Sequence, residues 1–307
     1  MLTYDGNLQA ISTLLLIPPL HRQKGMIITM EFGTVLAMFR KNRGLTQTEL
    51  ADGITTRRAI SEIEHGKQNI TYLDMIRIIE RLGVSVTDFE DYRNDHQLPP
   101  DQALIVDFEH LSDTSQSEQI KLLLRRAEKL NVTSQLRYVH QLIPILNALL
   151  HIDCIQQEQL TQLVKPVWNE LCVLKEWNRT DLFIINNLLY IFDPQTAQKI
   201  GKKVIKRLEH YAPDDLLLKN AIYVNLGYLG MKHPDTLSKK TIVQYLTTSI
   251  KITKDAHRYD LHLLSRIRLA VFECKYAEAR KLCHLLELIG ADNIARIAYG
   301  DFPILCN

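Results

Sequence analysis

At 307 residues the chain is long enough for two domains, or for one small domain and a larger helical array. Its formal charge of +2 is far from the basic coat usual in nucleic-acid binders, and no apolar run reaches the roughly 18 residues of a membrane span. The five cysteines form neither a CxxC pair nor a Cys/His metal pattern, so reduced thiols in a cytoplasmic protein are expected, many of them as small core residues.

Residues 1–29 stand apart. LLLIPPL at 14–20 is short, broken by Pro18 and Pro19, and followed rather than preceded by positive charge, the reverse of signal-peptide order. Met26 and Met30 are both credible starts, so the stretch reads as a poorly ordered extension or a mis-assigned start, with a loosely packed arm as the alternative.

Helical spacing begins at Glu31. Phe32, Val35, Leu36 and Phe39 recur at i, i+3, i+4 and i+7 and line one face of a helix ending near Gly44. Thr46 caps a second, short helix, with Glu49 completing a capping box. Thr55 or Thr56 caps a third, whose Ile60 and Ile63 point inward before Gly66 stops it. Thr71, with Asp74 three positions on, opens a fourth helix carrying Leu73, Ile76, Ile79 and Leu82; Val84, Val86 and Phe89 predict a final short cover. These five helices make one compact unit over 30–93, and the polar, Pro-paired stretch at 94–100 reads as a linker.

From residue 101 to 307 the pattern is almost unbroken helix. The spacing predicts segments at 101–110, 115–130, 133–151, 156–175, 179–191, 194–211, 214–230, 234–253, 257–273 and 275–290. Helices of this length joined by short turns read as stacked antiparallel pairs, as in a tetratricopeptide-like array. YAEARKL at 276–282 has the small-residue look of one repeat, but no strict period of 34 emerges, so a less regular bundle stays open. The predicted fold class is all-α throughout.

LTQTELADGITTRRAISEIEHG at 45–66 sets helix, tight turn and helix in the order of a DNA-recognition unit. Between Met30 and Arg93 there are nine Lys/Arg and ten Asp/Glu, so any positive face is local. Met38 to Ile60 supplies one, with Arg40, Lys41, Arg43, Arg57 and Arg58 against Glu49 and Asp52. Gln47, in the first turn of the second helix, can hold a phosphate with the free backbone N–H groups, or is simply a polar first-turn residue. Thr56, Arg57 and Arg58 open the third helix, where an arginine can grip guanine O6 and N7 with both guanidinium donors. Arg43 and Lys67 are candidates for phosphate contacts, the alternative being ordinary solvated charges.

Gln47, Glu49-Leu50-Ala51, Ile60-Ser61, Ile63-Glu64 and Gly66 carry a resemblance to the lambda-repressor-like (XRE-type) helix-turn-helix class. The resemblance puts Arg57, Arg58 and Glu62 at base-reading positions with Ser61 nearby; Glu62 would accept from cytosine N4. It also pairs Arg40 with Glu64 as a structural ion pair, a reading favoured over a phosphate contact for Arg40. Nine positions separate Ala51 from Ile60, one fewer than is usual in the class.

With that shortened turn, EHGKQNITYLDMIRIIERLGVSVTDF at 64–89 and the tryptophan-led LCVLKEWNRTDLFIINNLLYIFD at 171–193, the chain from Met30 onward resembles the Rgg/GadR/MutR family of transcriptional regulators. The resemblance implies a homodimer on double-stranded DNA with two half-sites, and a helical domain that receives a short signalling peptide. It places Asn187 and Asn225 on helices that hold a peptide backbone, buried helix–helix bonding being the alternative for both. Tyr190 stands where some relatives have a base for the peptide carboxylate. No cysteine lies between residues 30 and 153, so an intersubunit disulfide of the kind some relatives carry is not expected. Trp168 and Trp177 are expected to pack repeats.

The histidines and cysteines show no HExxH, GxSxG, phosphate-loop or dinucleotide pattern, so neither an enzyme nor a cofactor is expected. The rival readings are a regulator that uses the helical domain for dimerisation alone, and a helical protein-interaction scaffold.

Overall fold

The computed structural model describes residues 29–109, 111, 117–152, 154–211 and 213–306. The extension or alternative start assigned to the N-terminus falls almost wholly on 1–28, outside the described residues. The chain divides into two compact units at Pro99/Pro100, within the stretch read as a linker.

The first unit is five helices: α1 (Phe32–Asn42), α2 (Gln47–Ala51), α3 (Arg57–Glu64), α4 (Tyr72–Arg81) and α5 (Val86–Arg93). Their starts follow from side-chain caps. Thr46 and Glu49 close a reciprocal capping box, Thr56 accepts from the Ala59 amide, and Thr71 and Ser85 cap α4 and α5 through the amides of Asp74 and Asp88. The core is Val35, Leu36 and Phe39 of α1 with Leu50, Ala51, Ile60, Ile63, Ile78, Ile79, Leu82 and Phe89. Two expectations fail: Leu73 is 65% and Val86 39% exposed, because the inward face of α4 runs through Met75, Ile78, Ile79 and Leu82, and Phe89 is the residue of α5 that enters the core.

Two contacts set the unit's geometry. The Met30 amide donates to the Arg93 carbonyl at 2.7 Å, joining the unit's two ends. Gly33 lies so close to α3 that a Cβ there would sit 2.1 Å from the Ile63 carbonyl oxygen. Only glycine lets α1 and α3 approach this far.

The second unit holds eleven further α-helices among the described residues: α6 (Pro100–Glu109), α7 (Ser117–Asn131), α8 (Arg137–Leu150), α9 (Gln157–Cys172), α10 (Arg179–Leu188), α11 (Pro194–Tyr211), α12 (Leu216–Lys232), α13 (Lys239–Asp255), α14 (Tyr259–Phe272), α15 (Tyr276–Leu288) and α16 (Asp292–Asp301). Each packs on the next, and each even-numbered helix also touches the next even-numbered one. The result is two layers of stacked helical pairs, the tetratricopeptide-like arrangement. The segments predicted from the sequence end at 290, short of α16, and place the starts of α8 and α13 several residues early, ahead of Arg137 and of the Ser238 cap.

The array is apolar inside, with two cores. One runs from Leu104 to Tyr245 and the other is built by Leu264, Ile267, Leu282, Cys283, Leu286 and their neighbours. Trp177 is buried, its Nε1 donating to the Leu171 carbonyl at 2.8 Å while Arg207 stacks 4.3 Å from the ring centre. Trp168 meets Phe192 edge-on at 5.6 Å. The expectation of buried thiols holds for Cys283 alone. Cys154, Cys172, Cys274 and Cys306 are exposed, since they lie in turns or at helix ends where no core face passes.

Candidate nucleic-acid interface and an inner polar cluster

The third helix is held by a buried cluster of charge behind it. Arg40 Nε donates to Glu64 Oε1 at 2.6 Å and Nη2 to Oε2 at 3.0 Å, while Nη1 reaches the Leu45 carbonyl at 2.8 Å. The side chains are 11% and 5% exposed. Gln47 Nε2 donates to the same carboxylate at 2.9 Å. Burial pushes the Glu64 pKa up, but the bonds from Arg40 and Gln47 and the charge of Arg40 outweigh it, leaving the carboxyl below its ordinary value. Three helices, α1, α2 and α3, are thereby joined through one carboxylate. One hydrogen of the Gln47 amide serves this cluster.

The turn between α2 and α3 is fixed from a direction the sequence did not announce. Arg81, at the end of α4, places Nη1 among the carbonyls of Glu49 (3.3 Å), Leu50 (3.2 Å) and Asp52. These are the acceptors a helix end leaves unpaired, and a cation there also suits the helix dipole. The Ala51 carbonyl takes the amides of Ile54 and Thr55, and Gly53 supplies the left-handed residue of the turn at φ +65°. Nothing local in the sequence marks Arg81; the signal would have been a basic residue at the end of a helix expected to pack on the turn.

Beyond the turn, Thr56, Arg57 and Arg58 are exposed at the start of α3, with Ser61 and Glu62 half-buried one turn on. The first turn of α3 has no acidic residue, and two arginines at a helix N-terminus work against the dipole by about 0.3–1 kcal/mol each. Arg58 Nε donates to Glu62 Oε1 at 2.8 Å, with Arg58 88% exposed. The Glu62 carboxylate raises the Arg58 pKa and holds its side chain along the helix, leaving Arg57 unengaged by any described ion pair. Arg43 and Lys67 are exposed beyond the ends of α1 and α3.

In the second unit, Asn225 of α12 is already bonded on both sides. Its Oδ1 accepts from the Tyr190 hydroxyl and its Nδ2 donates to Asn186 Oδ1 at 3.1 Å. Burial raises the Tyr190 pKa to about 12, so the phenol stays a donor at all ordinary pH. Asn187, one residue from the network, donates instead to the Phe183 carbonyl of its own helix at 3.0 Å. The structure therefore brings Tyr190 and Asn225 together and leaves Asn187 outside. Asn186, which the sequence reading passed over, is the partner. Nearby, Arg268 is 4% exposed, donates to Asp301 of α16 at 2.7 and 3.0 Å and lies over the Tyr228 ring at 4.4 Å.

Among the described residues no helix is long and apolar enough to cross a membrane, and no His/Cys/Asp/Glu group could hold a metal. Residues 36–89 match the helix-turn-helix family. No curated protein matches the chain in sequence. Solved structures do match its fold. A candidate transcriptional regulator of Listeria monocytogenes EGD-e aligns at 17% identity and a TM-score of 0.69, over 90% of this chain and 97% of that one. The SHP pheromone receptor Rgg2 of Streptococcus dysgalactiae aligns at 13% and 0.61, over 90% and 98%. PlcR of Bacillus thuringiensis, solved with the peptide PapR7 and DNA, aligns at 15% and 0.56, over 86% and 98%. At these identities the likeness is one of fold, and it spans both units.

Proposed function

We propose that this chain, a helix-turn-helix domain joined to a helical array of the kind found in those pheromone and peptide receptors, is a sequence-specific DNA-binding transcriptional regulator. The observation that carries the reading is the exposed Arg57–Arg58 pair at the start of a helix clamped from behind by Arg40, Glu64 and Gln47. Arg57 and Arg58 read guanine edges in the major groove; Glu62 orients Arg58 and selects against phosphate; Thr56, Ser61, Gln47, Arg43 and Lys67 complete the contact with base and backbone. The first unit is nearly neutral, so one copy binds weakly. A homodimer on two half-sites doubles the contact and fixes its spacing.

The effector is a short peptide taken up on the layer containing Asn187, Tyr190 and Asn225. A second reading, that the array serves dimerisation alone, is favoured by one observation: Tyr190, Asn225 and Asn186 satisfy one another across two helices. Selection of duplexes from random DNA by the full chain tests the main reading. A motif with two similar half-sites is the expected result; no enrichment over input refutes it. Genome-wide occupancy with and without conditioned medium separates the two versions, since only a sensor changes its occupancy.

A further inference from the structure

The charge of the chain is not spread evenly. Exposed Lys199, Lys202, Lys203 and Lys206 form one stripe on α11 at i, i+3, i+4 and i+7, and like charges at those spacings destabilise a helix. Two helices on, α13 exposes Lys239, Lys240, Lys251 and Lys254. Against these eight lysines the two helices carry two carboxylates, Glu209 and Asp255, in a chain whose net charge is +2. None of the eight is in an ion pair among the described residues.

The two basic helices also share a groove. Both pack on α12, and a cavity of about 230 Å³ lies between them, with Ile205, Leu208, Tyr223 and Ile252 among its walls. Lys219 and Lys251 also line it, as do Glu209 and Asp255, the two carboxylates lying at the C-terminal ends of α11 and α13. The groove belongs to the odd-numbered layer, on other side chains than the Asn186–Asn225–Tyr190 network.

We propose that this surface docks an acidic, amphipathic protein segment, with carboxylates along the α11 and α13 lysines and an apolar side chain in the groove. Nucleic acid fits less well. A phosphate backbone offers nothing to fill an apolar wall, and the ridges have lysines only, without the exposed arginine forks suited to two-pronged phosphate recognition. Attraction between such faces is long-range and salt-sensitive, while the groove supplies the register. The surface goes beyond DNA reading and does not depend on it.

The test is fluorescence anisotropy of the full chain with three labelled probes: a short peptide with Glu/Asp on one helical face and Leu/Phe on the other, a glutamate homopolymer, and a random-sequence duplex. The amphipathic peptide is expected to bind, about tenfold more tightly than the homopolymer. K202E/K203E, at exposed positions, and Thr248→Trp, which fills the groove, are each expected to weaken it about tenfold. Circular dichroism checks that both variants fold, and duplex binding through the first unit should be unchanged by K202E/K203E. Peptide binding that ignores both variants, equal binding of the homopolymer, or no peptide binding overturns the proposal. Loss of duplex binding in K202E/K203E without peptide binding assigns the surface to nucleic acid and overturns it as well.

Discussion

Arg40→Ala isolates the cluster behind the third helix. The pair it breaks is nine-tenths shielded from water on both sides, so the regime is that of a buried ion pair, where removing one partner costs about 3–5 kcal/mol, rather than a surface pair worth about 0–1. Glu64 would retain the Gln47 donor, which places the loss near the lower end, about 3 kcal/mol. At about 4–8 °C per kcal/mol for a domain of this size, the fragment 29–99, which has its own core, should melt roughly 12 °C lower or more by far-ultraviolet circular dichroism. Glu64→Gln should cost less, since its amide oxygen still accepts from Arg40. The double variant Arg40→Met/Glu64→Leu should recover most of the loss, because neither charge is left without its partner. The sign with pH follows from Glu64. Its folded pKa is depressed, so its contribution is complete above the unfolded value of about 4.3 and disappears as pH falls through the lower folded value. The wild-type fragment should lose this increment in acid and the double variant should not. A melting loss under about 1 kcal/mol for Arg40→Ala, the exposed-pair value, would refute the reasoning.

Gly33→Ala should be more damaging than its size suggests, because the new methyl meets the Ile63 backbone at 2.1 Å and α1 must leave α3; a variant fragment that melts within about 1 kcal/mol of wild type, as an ordinary surface change would, contradicts the close contact. Arg57→Ala and Arg58→Ala should each reduce discrimination between selected and scrambled duplexes by about 1–3 kcal/mol with the melt unchanged, and equal loss on both duplexes would argue against base reading. Arg81→Met removes the guanidinium from the α2 carbonyls, so hydrogen exchange at Ile54 and Thr55 should speed up and operator affinity fall, with Arg81→Lys intermediate; unchanged exchange would show that the turn holds itself. Asn225→Leu orphans the Tyr190 hydroxyl and Asn186 together and should cost about 1–3 kcal/mol in full-chain unfolding, whereas a smaller loss would mean that water already reaches this network.

What could be read from the sequence was what is local. Thr46, Thr56 and Thr71 announce helix starts because a cap and its target lie three residues apart, and Leu36, Phe39, Ile60 and Ile63 announce a core face because helical spacing is short-range. Arg40 and Glu64 were accessible only through the resemblance, since 24 positions separate them. Arg81 reaches back 29 residues to a carbonyl, and carbonyls have no letter in a sequence. Gly33 reads as an ordinary weak point in a helix until the neighbouring backbone is known. α16 is hard to see in the sequence because its inward face is only Ile294, Ala295 and Ala298, too slight to register as amphipathic. Asn186 could have been found: it shares a helix face with buried Leu182 and Leu189, whereas Asn187 lies about 100° away.

The placement of the indoles has a practical consequence. Both tryptophans, Trp168 and Trp177, belong to the second unit, and the first has none. Indole emission therefore sees the helical array and is blind to the first unit. Trp177, with the Arg207 cation over its ring and its Nε1 tied to the Leu171 carbonyl, reports on the joint between α9, α10 and α11. A change in its emission when a duplex is added reports a response in the second unit. The unmodified protein thus carries its own optical reporter on the second unit, with no label needed.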